Sequence, residues 1–265
     1  PEELIEGNQE LWDFVSRIES SQVVSKNKTF HLVDKERNNW LLKVTDCKEQ
    51  ACLEAAANYY LSGSFDFIVP GRSPEPIAVD GLYITMQKDV SDEKEVRPSL
   101  DYWLSSLALF HRDAERILRE NGVDIRDIQF RSAEEEKERY LAGRRKHELK
   151  FNQSNFEDCL AYLRESSYKT LIHNDTKKDN LHGRYLVDLE LLCIGNPGID
   201  LAMLLMNYGL PQQQWSCYLK RYLQLRNVGD LSDQELKQLN RDVKLAAYLV
   251  ITREKIASSL RVQAY

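Results

Sequence analysis

The chain is short of the features that mark several large protein classes. Its 265 residues include only five cysteines, Cys47, Cys52, Cys159, Cys193 and Cys217. They are odd in number and scattered, with no paired CxxC spacing. That argues against a zinc site or a disulfide framework and fits a reducing compartment, the cytoplasm. Long apolar runs are missing too. The longest, such as Ile199 to Met206, fall far short of the roughly 20 residues that cross a bilayer. No signal peptide is visible, and the chain opens on Pro1 without a Met. Positive charge is not in excess: 36 Lys and Arg face 42 Asp and Glu, a formal net charge of −6. A basic footprint for nucleic acid is therefore absent. Neither nucleic acid nor membrane is an expected partner, and the composition leaves the oligomeric state open. There is no internal repeat and no low-complexity tract.

What is present suits a globular chain. Hydrophobic residues make up 42%, enough for one large domain or two lobes. Residues 1 to 19 carry apolar side chains at roughly helical spacing, from Leu4 to Ile18. From Ser21 to Asp46 the pattern becomes strand, turn, strand, turn, strand. Cys47 to Gly63 reads as an Ala-rich helix closed by glycine. Two more short strands follow, the second at Leu82 to Gln87. After the charged link Ser91 to Pro98, Ser99 is a good N-cap for a long helix that Asn121-Gly122 ends. Residues 133–150 read as a helix whose charges form a solvated face. Three helices are expected from Asn207 to Tyr265, with breaks at Tyr208 to Pro211 and near Arg226 to Asp233. The expected fold is α+β: a β-rich N-terminal lobe over residues 1–89 and a mainly helical C-terminal lobe over 90–265, interrupted by one short β-like insert.

That insert, Thr170 to Leu205, carries the chemistry. It places His173, Asp175, Asn180 and Asp188 close together between strand-like segments. Phosphoryl transfer from a nucleotide needs cations against the phosphates and a group that orients the attacking hydroxyl. Asp175 is a candidate base, and Asn180 and Asp188 are candidate magnesium ligands. Lys43 lies in an apolar strand otherwise poor in charge, and Glu54 follows on the next helix as its candidate partner, with Glu49 as the rival.

These residues resemble the aminoglycoside phosphotransferase / choline kinase superfamily, small-molecule kinases with a protein-kinase-like fold. The segments that carry the resemblance are "HNDTKKDN", "VDLE", "GNPGIDLA", "LALFH" and "EAAANYYL". It extends from about Ser20 to Gly209 and implies a phosphotransferase that uses ATP or GTP with Mg2+ and acts on a hydroxyl of a small molecule. Aminoglycosides, choline or ethanolamine, and sugar-like molecules are candidate acceptors, and the acidic balance is compatible with a cationic one. By the resemblance Asp175 matches the catalytic base, Asn180 and Asp188 the magnesium ligands, and Lys43 with Glu54 the phosphate-anchoring ion pair. Met86 would stand at the back of the adenine pocket, with Gln87 to Asp89 presenting backbone groups to the adenine edge. Lys177 matches a catalytic-loop lysine of protein kinases and would steady charge on the transferring phosphate. His173 is expected to orient the loop, Asp200 to hold its backbone, and Glu190 to stand beside the metal or in solvent.

Three features depart from the family pattern. Asn174 replaces the usual Gly between His173 and Asp175, as in the choline and ethanolamine kinase branch. The segment expected to cover the phosphates, Ser25 to Phe30, contains no glycine, so backbone amides and the hydroxyl of Ser25 or Thr29 would have to do that work. Only seven residues separate Asn180 from Asp188. Either the hairpin between them is unusually short or a tip near Leu181 to Arg184 is missing, and the missing tip is the favoured reading.

Plainer roles stand beside these. A lone strand lysine usually snorkels to solvent, His111 reads as a packing residue, and Lys178 and Asp179 read as a solvated turn. Tyr208, Trp215, Tyr218 and Tyr222 have the spacing of core packing, and the alternative is a cation-binding surface. His182 near Asp188 lacks the companions of a zinc site. A catalytically silent kinase-like binding module and a kinase acting on protein are the competing functions. No Asp-Phe-Gly or Ala-Pro-Glu segment supports the latter.

Overall fold

The computed structural model describes residues 18–25, 29–34, 37–79, 81–93, 98–126, 153–166, 168–227 and 232–261. The expected helices over residues 1–17 and 133–150 lie outside the described residues. The chain divides into two compact units. One comprises Pro1–Ser99, Asp113–Ile125 and Asp179–Leu192; the other comprises Leu100–Arg112, Arg126–Lys178 and Cys193–Tyr265. The fold is α+β, with an N-terminal sheet lobe and a mainly helical C-terminal lobe, in a protein-kinase-like topology.

The first unit is built on five antiparallel strands: β1 (Ile18–Ser25), β2 (Thr29–Asp34), β3 (Asn39–Thr45), β4 (Ile77–Val79) and β5 (Leu82–Lys88). They lie in the order β1-β2-β3-β5-β4. Ile18 and Glu19, expected to close a helix, open β1 instead. Period-two alternation gives the sheet one apolar face. Leu32, Leu42, Val44 and Ile84 are buried there, with Phe30, Trp40, Ile77, Leu82 and Met86 packed around them. The register sets Thr29, Lys43 and Thr85 side by side, and likewise His31, Leu41 and Gln87, on the other face. Helix α1 (Lys48–Ser62) packs against β5 through a side rich in alanine, with Ala51, Ala55, Ala56 and Ala57 buried. Gly71 sits so close to this helix that a Cβ would lie 2.9 Å from the Asn58 Cβ. Its N–H donates to the Asn58 carbonyl at 3.2 Å.

Helix α2 (Leu100–Glu120) contributes its residues up to Arg112 to the second unit. That unit also contains α3 (Gln153–Glu165), β6 (Thr170–Ile172), β9 (Cys193–Gly195), α4 (Gly198–Asn207), α5 (Gln212–Arg226) and α6 (Asp233–Arg261). Strands β6 and β9 pair antiparallel and are buried throughout. Helix α6 packs against α3, α4 and α5. Leu163, Leu171, Leu201, Leu204, Leu219 and Val243 are buried in this unit's core. The breaks at Tyr208 to Pro211 and after Arg226 fall where the sequence puts them. Beyond Asn207, however, the described residues form two helices rather than three, because α6 runs 29 residues without interruption.

Candidate functional site

In the first unit the candidate groups gather around Lys43. Strand alternation points Lys43 away from the apolar face, and α1 brings Glu54 to it. The ammonium donates to Glu54 Oε1 at 2.6 Å and to Asp188 Oδ1 at 2.5 Å. Lys43 is thus no snorkelling residue: its side chain keeps 19% exposure, and Glu54 keeps 4%. The rival Glu49 is exposed on the first turn of α1. Burial pulls the Lys43 ammonium down, but the two carboxylates outweigh it and hold its pKa above the ordinary lysine value. At Glu54 burial pushes the carboxyl up against the pull of Lys43, and the charges of Asp188 and Glu190 add to the push. One ammonium is therefore asked to balance more negative charge than it carries.

A short hairpin delivers Asp188. Strands β7 (Leu181–His182) and β8 (Tyr185–Leu186) pair through a two-residue connection, Gly183-Arg184. Gly183 takes φ +54°, and a Cβ there would lie 2.7 Å from the Glu93 carbonyl oxygen, so both backbone freedom and lack of bulk are used. Leu186 N–H donates to the Phe67 carbonyl at 2.8 Å, and Val187 N–H to the Asn180 carbonyl at 3.0 Å. Of the two alternatives the structure takes the unusually short hairpin. Two residues per strand are enough because the backbone of Phe67 and the carbonyl of Asn180 complete the pairing. Asn180 is buried, and Asp188 stands in the left-handed region at φ 67°. Glu190 is half-buried in the 3-10 turn Leu189–Leu191.

The end of β5 differs from expectation. Met86 packs on the apolar face, opposite Lys43, and its carbonyl accepts from Arg72 N–H at 3.0 Å. The side chain on Lys43's face is the next one, Gln87. It is buried and accepts from Asn58 Nδ2 of α1 at 2.9 Å. Asp89 N–H donates to the Asn39 carbonyl at 2.9 Å, and its carboxylate pairs with His31 of β2. Of the backbone groups expected to meet an adenine edge, from Gln87 to Asp89, the N–H of Lys88 donates to the Pro70 carbonyl at 2.9 Å and that of Asp89 is bonded as above. Ser25 is the last residue of β1, opposite Thr29.

In the second unit the loop after β6 is held by one buried carboxylate. Asp200, on the first turn of α4, accepts His173 N–H at 2.7 Å through Oδ2 and Asn174 N–H at 2.8 Å through Oδ1. Its carbonyl accepts the Thr176 hydroxyl at 2.9 Å. His173 is fully buried, and its Nδ1 accepts Asp175 N–H at 3.2 Å. Asn174 takes φ 65°, a conformation that asparagine and glycine tolerate, which is why either can stand there. The Asp175 carboxylate accepts from Lys177 Nζ at 2.5 Å, with the two side chains 20% and 50% exposed. Lys178 and Asp179 are exposed.

The structure therefore joins Lys43, Glu54 and Asp188 in one cluster, and His173, Asp175, Lys177 and Asp200 in another. It adds residues that the sequence reading missed. His111 does more than pack: its Nε2 lies 3.0 Å from Asp200 Oδ2 and its Nδ1 lies 2.8 Å from the Tyr222 hydroxyl. Trp215 and Tyr222 are buried, so they form no cation-binding surface. The Leu-Ala-Leu-Phe-His pattern is the one signal that pointed toward His111. The sequence singles out Gln87 only for its backbone and Tyr222 only as a packing or cation-binding aromatic, and nothing local points to Asn58.

The donor chemistry suits magnesium. Asn180 and Asp188 offer amide and carboxylate oxygens, and the charge excess felt at Glu54 is of the kind a divalent cation relieves. Among the described residues no group of three or more His, Cys, Asp or Glu side chains forms a metal cage.

Comparison with known proteins follows the same lines. Residues 25–236 match the family described as "Phosphotransferase enzyme family". The fold is similar to that of the macrolide 2'-phosphotransferase MphH from Brachybacterium faecium, with TM-score 0.52 and 13% identity, covering 91% of each chain. A macrolide 2'-phosphotransferase of type I gives TM-score 0.55 at 12% identity, over 96% of this chain and 95% of the other. The amicoumacin kinase hAmiN, in complex with AMP-PNP, Ca2+ and Ami, gives TM-score 0.56 at 12% identity, over 97% and 95%. No curated protein sequence matches the chain.

Proposed function

The chain belongs to the phosphotransferase enzyme family, and from that premise we propose that it moves the γ-phosphate of ATP or GTP to a hydroxyl of a small molecule. The observation that carries this reading is the Lys43–Glu54–Asp188 cluster. Its members come from three chain segments, Asp188 lying 145 residues after Lys43, and converge on one ammonium within 2.6 Å. In this reading Glu54 fixes the rotamer of Lys43, and Lys43 meets the phosphates. Asn180 and Asp188 hold magnesium, which when bound neutralises charge on the phosphate oxygens.

Asp175 takes the proton of the acceptor hydroxyl as that oxygen bonds to the γ-phosphorus and the nucleoside diphosphate leaves. His173 and Asp200 fix the loop so that the carboxylate is already aimed, which lowers the reorganisation needed. Lys177 lies against Asp175 at 2.5 Å and in this reading exchanges that partner for phosphate oxygens. Gln87, which shares the sheet face of Lys43, takes in this reading the place beside the nucleotide base that the resemblance gives to Met86. The protein acts in the reducing cytoplasm on a soluble metabolite or drug. No described helix is long and apolar enough to cross a membrane.

The test is a nucleotide-consumption screen with magnesium over macrolides, amicoumacin, aminoglycosides, choline, ethanolamine and sugars. We expect one class to be phosphorylated, and Asp175→Asn to lower kcat by about 10²- to 10⁴-fold while leaving the melting temperature within a few degrees. A purified chain whose melting temperature is indifferent to ATP, ADP and GTP with magnesium, and which consumes none of them, would falsify the reading.

A further inference from the structure

The first turn of α4, which carries Asp200, is tied to α6 through a buried amide. The tie begins at Asp242, a fully buried residue of α6. Its Oδ1 accepts the Tyr162 hydroxyl at 3.1 Å and Gln238 Nε2 at 2.8 Å, and its Oδ2 accepts Asn196 Nδ2 at 2.7 Å. Asn196 is fully buried too, and the same amide nitrogen donates to Ser166 Oγ at 3.1 Å. Its Oδ1 accepts Gly198 N–H, the first N–H of α4, at 2.8 Å. The backbones also approach closely here. A Cβ on Gly198 would lie 3.0 Å from the Asp242 carbonyl carbon and 3.1 Å from Val243 N. Two residues on, the same turn presents Asp200 to the N–H groups of His173 and Asn174.

Bond chemistry leaves this line one arrangement. A backbone N–H only donates, so the amide oxygen of Asn196 must face Gly198. The amide nitrogen then faces Asp242, whose carboxylate accepts from three neutral donors. Turning the amide over would set N–H against N–H at one end and oxygen against oxygen at the other, in a place that water does not reach. The orphan N–H that opens α4 is thus satisfied by Asn196, and the position of Asn196 is set by α6. The first turn of α4 cannot slide against α6 without leaving a buried polar group unpaired.

We propose that Asp242 is a positioning residue for the Asp175 loop, acting through Asn196 on the turn of α4 that carries Asp200. The hydrogen bonds of Asp242 go to Tyr162, Gln238 and Asn196, none of them in that loop. Its effect arrives as the placement of one helix turn, and with it of the Asp200 oxygens that fix two loop amides. Thr176, whose hydroxyl donates to the Asp200 carbonyl at 2.9 Å, follows the same turn. The consequence for turnover rests on the phosphotransferase reading above; the consequence for the loop does not.

The experiment exchanges the two side chains. Asn196→Asp, Asp242→Asn and the double substitution are compared with the native full chain by amide hydrogen exchange. Asn196→Asp sets two carboxylates against each other, and Asp242→Asn puts an N–H where a donor needs an oxygen. The double substitution restores the pairing with the same total charge. The carboxylate at 196 accepts from Gly198 N–H and from the amide at 242, whose oxygen accepts from Tyr162 and Gln238. We expect exchange at His173 and Asn174 to quicken about tenfold in each single variant, the scale of one lost buried hydrogen bond. In the double variant it should return to within about threefold of native, and amides of α5 from Trp215 to Leu223 should keep native rates throughout. With an accepted substrate, each single variant should lower kcat about tenfold while the KM for nucleotide stays within about twofold, and the double variant should recover most of the loss. Native loop exchange in both single variants would overturn the proposal. So would equal quickening across α5, the mark of a general loss of stability. If the single variants do not fold, the double variant decides alone: native loop exchange supports the proposal, and fast exchange or failure to fold overturns it. If the native chain transfers no phosphate, the functional reading fails and the exchange rates still decide this one.

Discussion

Asn174 and Asp188 share a backbone state that most side chains avoid, with φ of 65° and 67°. At Asn174 the sequence already signalled something, because asparagine stands where the family uses glycine; the reason is conformational and appears only with the backbone. The Asn174 Oδ1 atom is buried without a hydrogen-bond partner among the described residues, so the side chain is not kept for that oxygen. Asn174→Gly is therefore expected to change stability by less than about 0.5 kcal/mol, whereas Asn174→Val should cost about 1–2 kcal/mol by forcing a β-branched residue into the left-handed region. Denaturant unfolding of the two variants decides this, and equal midpoints would show the loop can relax. Asp188 carries the same strain and is held in place by its bond to Lys43. Strain tied to an ion pair in this way is common where a side chain must be aimed.

Among the elements, α1 is fastened to the sheet by two polar rungs one turn apart, Glu54 to Lys43 and Asn58 to Gln87. The first was legible because a lysine in an apolar strand and a glutamate on the next helix are conspicuous. The second was not, because it depends on which face of β5 each residue takes. A one-residue shift in parity exchanges Met86 for Gln87, and no local pattern fixes that parity. The shortness of the β7–β8 hairpin is hard to read from sequence for a related reason: counting residues ignores the partners that Phe67 and Asn180 supply. Helix α6 begins with a capping box, in which Ser232 Oγ accepts Glu235 N–H at 3.1 Å and Glu235 Oε2 accepts Ser232 N–H at 3.1 Å. Ser232→Ala should cost about 1 kcal/mol in thermal unfolding. These bonds hold the Glu235 carboxyl below its ordinary pKa, so the contribution is complete above pH 4.5 and fades as the pH falls further.

At the scale of the whole molecule, the fold class was readable because its signals are additive. Alternating strands, an Ala-rich helix and a long amphipathic helix each point to the same layout. What could not be read was the network that locks the second unit, since His111, Asp200 and Tyr222 come from separate stretches. That network also sets a pH dependence. His111 is buried with its pKa lowered from 6.5, so below that value the unfolded chain takes up a proton that the folded one resists. Stability should therefore fall as the pH drops below about 6.5, by up to about 1.4 kcal/mol per pH unit, and level off below the folded pKa. His111→Gln should flatten the slope while lowering the melting temperature at pH 7. A native slope unchanged in His111→Gln would assign it to other groups.

The long reach from Lys43 to Asp188 has a consequence for synthesis. At about 5–20 residues per second, the 145 residues between them take about 7–30 s to emerge from a ribosome. Throughout that interval the nascent N-terminal sheet holds its lysine with only one of two carboxylates in place. The backbone at Phe67 and Ile68, whose exposed edge pairs with Leu186, also waits for the hairpin that will cover it. Slowing or pausing translation between these points lengthens the exposure of that edge, and misfolding of the newborn chain should rise with it.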